Sequence, residues 1–220
     1  GNLNYIDRDI ELNGTINNNW SGTFGFFSQP HIYNKSLLQG GPRIFLSDQY
    51  GIWWAANSDN RKKLFVNYSG WTKTGGLGSY NLLENAFGLT YQPIDRLSAS
   101  IKPTYTTIQN RLQYNESQQF QGNPRHIVSM LDQETFSIPI RLNFIINANF
   151  AIQYYGEPFI TTGKYQDFSY VARPDHSIEQ GQLFTFAKAH LAYDNLERKY
   201  NVDENQDGTK DYSFADPYFS

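Results

Sequence analysis

The chain has 220 residues, of which 39% are hydrophobic, 16% aromatic and only 18% charged, with a formal net charge of −3. A soluble domain normally carries about 25% charged residues, so rings rather than ions must cover much of this surface. The slight acidity and the lack of basic runs exclude nucleic acid as a partner, and the absence of cysteine excludes disulfides, thiolate metal sites and cysteine nucleophiles.

Helical periodicity is nearly absent, and Gly, Asn, Thr and Tyr are too frequent for long helices. The longest apolar runs, such as Ile52 to Ala56, are far short of the roughly 20 residues that a spanning helix needs. Alternation with a period of two dominates instead. Strands are predicted over Asn17 to Phe27, Arg43 to Asn57 and Arg61 to Thr74. The clearest alternation follows, from Asn81 to Gln92: Leu83, Phe87, Leu89 and Tyr91 share one parity, and Glu84, Ala86, Gly88 and Thr90 the other. Next comes Leu97 to Tyr105, then Thr135 to Ile146, where Phe136, Ile138, Ile140, Leu142, Phe144 and Ile146 fall on one side. Phe150 to Glu157 completes the series.

Each run is long enough to cross a bilayer as a tilted strand, and each sets an apolar face against a polar or small one of low charge. That is the dyad of a membrane barrel. A soluble sandwich alternates too, but its strands are shorter and its polar faces more charged. The links also alternate. Ser58-Asp59-Asn60, Pro93-Ile94-Asp95 and Asn147-Ala148-Asn149 are tight turns, while Ser28 to Pro42, Gly75 to Ser79, Gln109 to Pro124 and everything after Ile160 are longer. Bacterial barrels place short turns in the periplasm and long loops outside. The expected fold is therefore all-β, an antiparallel transmembrane outer-membrane β-barrel. Residues 1–160 form its spanning strands, and residues 161–220 form a mostly extracellular loop region. Seven spanning strands cannot close alone in lipid, because an open edge leaves backbone groups unpaired. The chain is thus expected to be part of a larger barrel, with Gly1 an interior or trimmed start and lipid, the rest of the barrel or other envelope proteins as partners.

Chemistry-bearing residues are sparse. Glu84, Lys102, Arg141 and Glu157 project from polar faces and are candidates to line a lumen, or else to fill it as an ion-pair network. As a catalytic carboxylate pair, Glu84 and Glu157 have nothing further to recommend them. Asp203, Asn205, Asp207, Thr209 and Asp211 match the front of a calcium loop, with Gly208 at the bend. The bidentate Glu is missing, since Phe214 stands at the twelfth position, and an Asp/Asn/Gly turn explains the composition equally. His31, His126, His176 and His190 show no zinc spacing, and Gly75-Gly76-Leu77-Gly78 reads as a hairpin rather than a phosphate loop. Trp53, Trp54 and Trp71 suit an interfacial girdle. Tyr33, Tyr165, Phe168 and Tyr170, expected in outer loops, are candidates for stacking on glycan.

The stretch from Arg125 to Gln133 and on through Ile152 to Phe159 resembles a group of Bacteroidota proteins. So do Gly40-Gly41-Pro42, Asn57 to Lys63, Gly163-Lys164-Tyr165 and the Asp-rich segment from Asp203 to Phe214. Members of that group join an N-terminal domain like a family 9 carbohydrate-binding module to a large C-terminal β-barrel of unknown function. The resemblance implies a late part of such a barrel lacking its last hairpin, with Ile160 to Ser220 extracellular. It transfers no catalytic residues. Three functions follow as expectations: a non-enzymatic channel, uptake component or scaffold; a glycan-handling protein working with the absent N-terminal domain; and a hydrolase, for which no nucleophile or acid pair is recognisable.

Overall fold

The computed structural model describes residues 8–76, 79–177 and 181–218. The fold is all-β and antiparallel. Its main sheet holds β1 (Arg8–Thr15), β2 (Ser21–Gln29), β5 (Gln49–Asn57), β6 (Leu64–Gly75), β7 (Tyr80–Ile94), β8 (Leu97–Ile101), β9 (Thr104–Phe120), β10 (Asn123–Ser137), β11 (Ile140–Asn147), β12 (Phe150–Gly156), β13 (Phe159–Val171) and β14 (Leu183–Thr185). Three pairs of these are single runs interrupted by proline: β8 with β9, β10 with β11, and β12 with β13. Twelve strands less three joins leaves eight long runs and the short β14. Each long run pairs with its neighbours in sequence, so the sheet is a meander of hairpins.

Proline donates no backbone hydrogen bond, which is why Pro103, Pro139 and Pro158 break the ladder. Their carbonyls still accept, from Phe87 N–H at 3.0 Å, Lys102 N–H at 2.9 Å and Ile138 N–H at 2.9 Å respectively. The register on either side of each break is the same, so no residue changes face. The run predicted from Thr135 to Ile146 is therefore continuous in parity but not in hydrogen bonding.

Several expectations are corrected here. The predicted strand from Arg43 to Asn57 is two elements: β4 (Ile44–Leu46) pairs with β3 (Ile32–Asn34), and only β5 joins the main sheet. The link from Gln109 to Pro124 is not a loop but the outer half of the β9–β10 hairpin. Gln121 and Gly122 close it with φ of 48° and 76°, as a tight primed turn requires. The boundary at residue 160 falls inside a strand, since β13 continues to Val171. A further strand, β1, precedes the seven expected.

Beyond the short-turn half of the sheet, a three-stranded sheet of β15 (Leu191–Asp194), β16 (Lys199–Val202) and β17 (Tyr212–Ala215) covers one face of the β9–β10–β13 extension. Its core is Ile127, Phe168, Phe186, Val202, Tyr212 and Phe214. The opposite face is covered from the β3–β4 segment by Leu38 and Ile44, which meet Leu112, Val128 and Val171. Consecutive Ile127 and Val128, both fully buried, thus feed two cores on opposite faces.

The short turn after β5 is fixed by Asp59. Its carboxylate accepts from Arg61 Nε and Nη2, both at 2.9 Å, and from the Arg61 N–H at 3.1 Å. These bonds hold its pKa down at about 2.

Large rings on the main sheet lie over glycines of adjacent strands. A Cβ on Gly25 would collide with the Trp53 ring, and one on Gly51 with Phe27. The Trp53 indole donates from Nε1 to Glu11 Oε2 at 3.2 Å, which ties three strands together. Gly25→Val is expected to displace this indole and to destabilise the sheet by about 1–3 kcal/mol, as overpacking does. A shift in Trp53 emission with a lowered unfolding midpoint would register it; unchanged emission would refute the contact.

Candidate functional site

The continuous register lets two neighbouring rungs be followed across all eight runs. One passes through Leu12, Phe24, Trp54, Gly70, Asn85, Tyr105, Phe136 and Ile160. The next, one residue along each strand and so on the other face, passes through Glu11, Gly25, Trp53, Trp71, Glu84, Thr106, Thr135 and Thr161. The first rung is mostly apolar, with Leu12, Phe24, Trp54, Tyr105, Phe136 and Ile160, and the second sets Glu11, Glu84, Thr106, Thr135 and Thr161 beside Trp53 and Trp71. The single amide on the apolar rung, Asn85, accepts from the Tyr68 hydroxyl at 2.6 Å.

The apolar face is exposed. Leu12 is 68% accessible, Phe87 51%, Tyr154 57% and Ile160 66%. An exposed apolar patch larger than a few hundred Å² is rare on a soluble monomer; this one extends over every long strand. It also drifts along the strands. The rung through Phe26 and Ile52 reaches β7 at Leu83, whereas the rung through Leu142 and Ala99 reaches β7 at Tyr91. A stagger of this kind is what tilted strands produce when an apolar belt stays level.

All four lumen candidates lie on the polar face, and the register groups three of them. Lys102 and Glu157 flank Pro139 on one rung, and Arg141 sits on the next, opposite Ser100 and Tyr155. Arg141 lies 5.0 Å over the Tyr155 ring, and the Tyr155 hydroxyl donates to Glu157. Glu84 stands apart, where Thr106 donates to it at 3.3 Å and Thr135 and Thr161 continue the rung, 2.8 Å from each other. None of the four forms an ion pair among the described residues.

The glycan candidates are not brought together. Phe168, expected in an outer loop, lies in β13 with its ring buried between Tyr200 at 4.7 Å and Phe214 at 5.1 Å, which corrects its assignment as a stacking residue. Tyr165 packs against the same core, also from β13. Tyr170 is covered by Phe184 at 5.1 Å and by the Arg125 guanidinium at 4.5 Å. Tyr33 is exposed on β3, with Arg43 4.4 Å over its ring. The alternation of β13 carried the signal for Phe168, since Ser169 and Tyr170 continue it, but the length of the polar stretch before it hid the strand.

In the Asp203 to Asp211 turn the side-chain oxygens hold backbone. Asp203 accepts from the N–H of Asp207 at 3.1 Å and of Gly208 at 2.8 Å, and Asp211 from the N–H of Glu204 at 2.7 Å. Asp207 accepts from Thr209 N–H at 2.9 Å and from Asn205 Nδ2 at 2.9 Å. Its pKa is lowered by the bonds from Thr209 and Asn205. Among the described residues no three acidic or histidine side chains converge as metal ligands. Calcium here stays an expectation.

Two residues missed in the sequence hold the three-stranded sheet on the β9–β10–β13 extension. Arg125 makes a bidentate pair with Glu204, at 2.8 Å from Nη2 and 3.1 Å from Nε to Oε1, with both side chains nearly enclosed. Tyr212 adds a hydroxyl bond to Glu204 at 2.7 Å. Comparison with protein-family models, with curated proteins and with solved structures finds no match to this chain.

Proposed function

We propose that this chain forms part of the wall of an outer-membrane β-barrel, non-enzymatic, serving as a channel, an uptake component or an envelope scaffold. The observation that carries the reading is the pair of adjacent rungs: an exposed apolar belt on every long strand, backed by a polar face that keeps Glu84, Lys102, Arg141 and Glu157 off it. Lipid satisfies the first, and an aqueous interior the second. The tight turns of β5–β6, β7–β8 and β11–β12 then face the periplasm, and the capped extension of β9, β10 and β13 faces outward.

Consecutive Trp53 and Trp54 test this directly, since they point to opposite faces. Variants retaining one of the two, with the other tryptophans replaced by Phe, are reconstituted into vesicles containing brominated acyl chains. Trp54 emission is expected to be strongly quenched and Trp53 emission to be little affected. Equal quenching of both, or of neither, sinks the reading.

A further inference from the structure

We propose that the apolar belt ends, on β9, β10 and β13, in a seat for a lipid whose headgroup carries phosphoethanolamine. This deepens the barrel reading and rests on it. Immediately beyond the Tyr105–Phe136–Ile160 rung, on the same face, come two polar rungs: Thr107–Glu134–Thr162 and Gln109–Asp132–Lys164. A cavity of about 650 Å³ lies against both. The polar groups therefore begin where lipid tails would stop, at headgroup depth.

The charges in this cavity are unspent. Asp132 accepts from Gln166 Nε2 at 2.6 Å through Oδ2, while its buried Oδ1 has no partner among the described residues. Lys164 is the cross-strand neighbour of Asp132, yet its ammonium forms no ion pair among the described residues. Glu134 is exposed. Lys164 and Glu134 are diagonal neighbours on adjacent strands, about 7–8 Å apart at the backbone. One cation beside two carboxylates complements a zwitterion. Phosphate takes Lys164, with Thr107, Thr162 and Gln109 as further donors, and the ammonium takes Glu134 and the open oxygen of Asp132. The acyl chains continue over Phe136 and Ile160. A choline headgroup has no N–H to give these carboxylates, so the seat discriminates against it.

The full chain is reconstituted in vesicles of equal phosphatidylethanolamine and phosphatidylcholine, extracted in mild detergent, and its retained lipid identified by native mass spectrometry. Ethanolamine lipid is expected to be enriched roughly tenfold, the ratio one charge-assisted hydrogen bond supplies. The isosteric pair Asp132→Asn with Glu134→Gln should bring the ratio to one, and Lys164→Met should lower retention of both lipids. Equal retention by the unaltered chain overturns the proposal. So does full competition by water-soluble phosphoethanolamine, which would make the site one for a free solute. Trp54 quenching in brominated vesicles separates the failures: quenching without headgroup preference ends this proposal alone, and its absence ends the barrel reading too.

Discussion

Replacing Glu204 with Gln is expected to loosen the outer cap by about 3–5 kcal/mol, the effect of leaving one member of a buried ion pair without its partner. Arg125 would then stand uncompensated between the Phe120 and Tyr170 rings, 5.4 and 4.5 Å from their centroids. Lysine cannot replace it, because the bidentate fork and the stacking both need a planar guanidinium. The double change Arg125→Met with Glu204→Leu should restore much of the loss, since the desolvation of both charges disappears with the pair. Acid should act like the single substitution. Burial pushes the Glu204 carboxyl up, but the bonds from Arg125 and Tyr212 outweigh it and leave its pKa below the ordinary value. Such a group stabilises the fold above the unfolded carboxylate pKa of about 4, and that contribution is lost as pH falls through the lower folded value. Hydrogen exchange in β15, β16 and β17 is the measurement. Protection there should fall below pH 4 in the unaltered chain and be low already at neutral pH in Glu204→Gln, with β5 and β6 unaffected. Unchanged protection in the variant would mean that the cap is held by Phe168, Phe186 and Phe214 alone.

The parts of the sheet that the sequence announced are those in which each strand is read by its own alternation. β7 is the example: Leu83, Phe87, Leu89 and Tyr91 face one way because period two is a local property. β9 and β10 escaped for the complementary reason. Their outer halves are paired out of step at Val128 and Leu131, and the apolar groups that cover them, Leu38, Ile44, Phe186 and Phe214, come from distant segments. A bulge shifts parity, so the stretch from Gln109 to Gln119 looks like a polar loop. β1 was legible in principle, with Ile10 and Leu12 set against Asp9, Glu11 and Asn13. The site divides in the same way. That Glu84, Lys102, Arg141 and Glu157 share a face follows from parity, but the grouping of three of them follows only from register. The Glu134–Lys164 seat depends on register altogether, because its members are ordinary solvent residues until the rungs place them at the end of an apolar belt.

Parity also makes the strongest test of which face meets lipid, at a place where the protein has already made a comparison of its own. Arg141 is flanked by Ile140 and Leu142, and only the arginine points to the polar face. Placing a charge one residue or two residues beyond Arg141 should therefore have opposite consequences. Leu142→Lys places an ammonium on the apolar rung of Ala99 and Tyr154. Near the middle of a bilayer this is expected to cost about 2–4 kcal/mol. Asn143→Lys points to the opposite, polar face, across from Ser98 and Gln153, and should stay within about 0.5 kcal/mol, as surface changes do. Urea unfolding from lipid vesicles reads both. In a soluble sandwich Leu142 would be covered by a second sheet, and Leu142→Ala would then be as damaging as Leu142→Lys because both open a core. Against lipid, Leu142→Ala leaves no cavity, and only the charge is penalised. A large gap between Lys and Ala at this one position is the signature of a hydrocarbon solvent, and a small one would return the sheet to water.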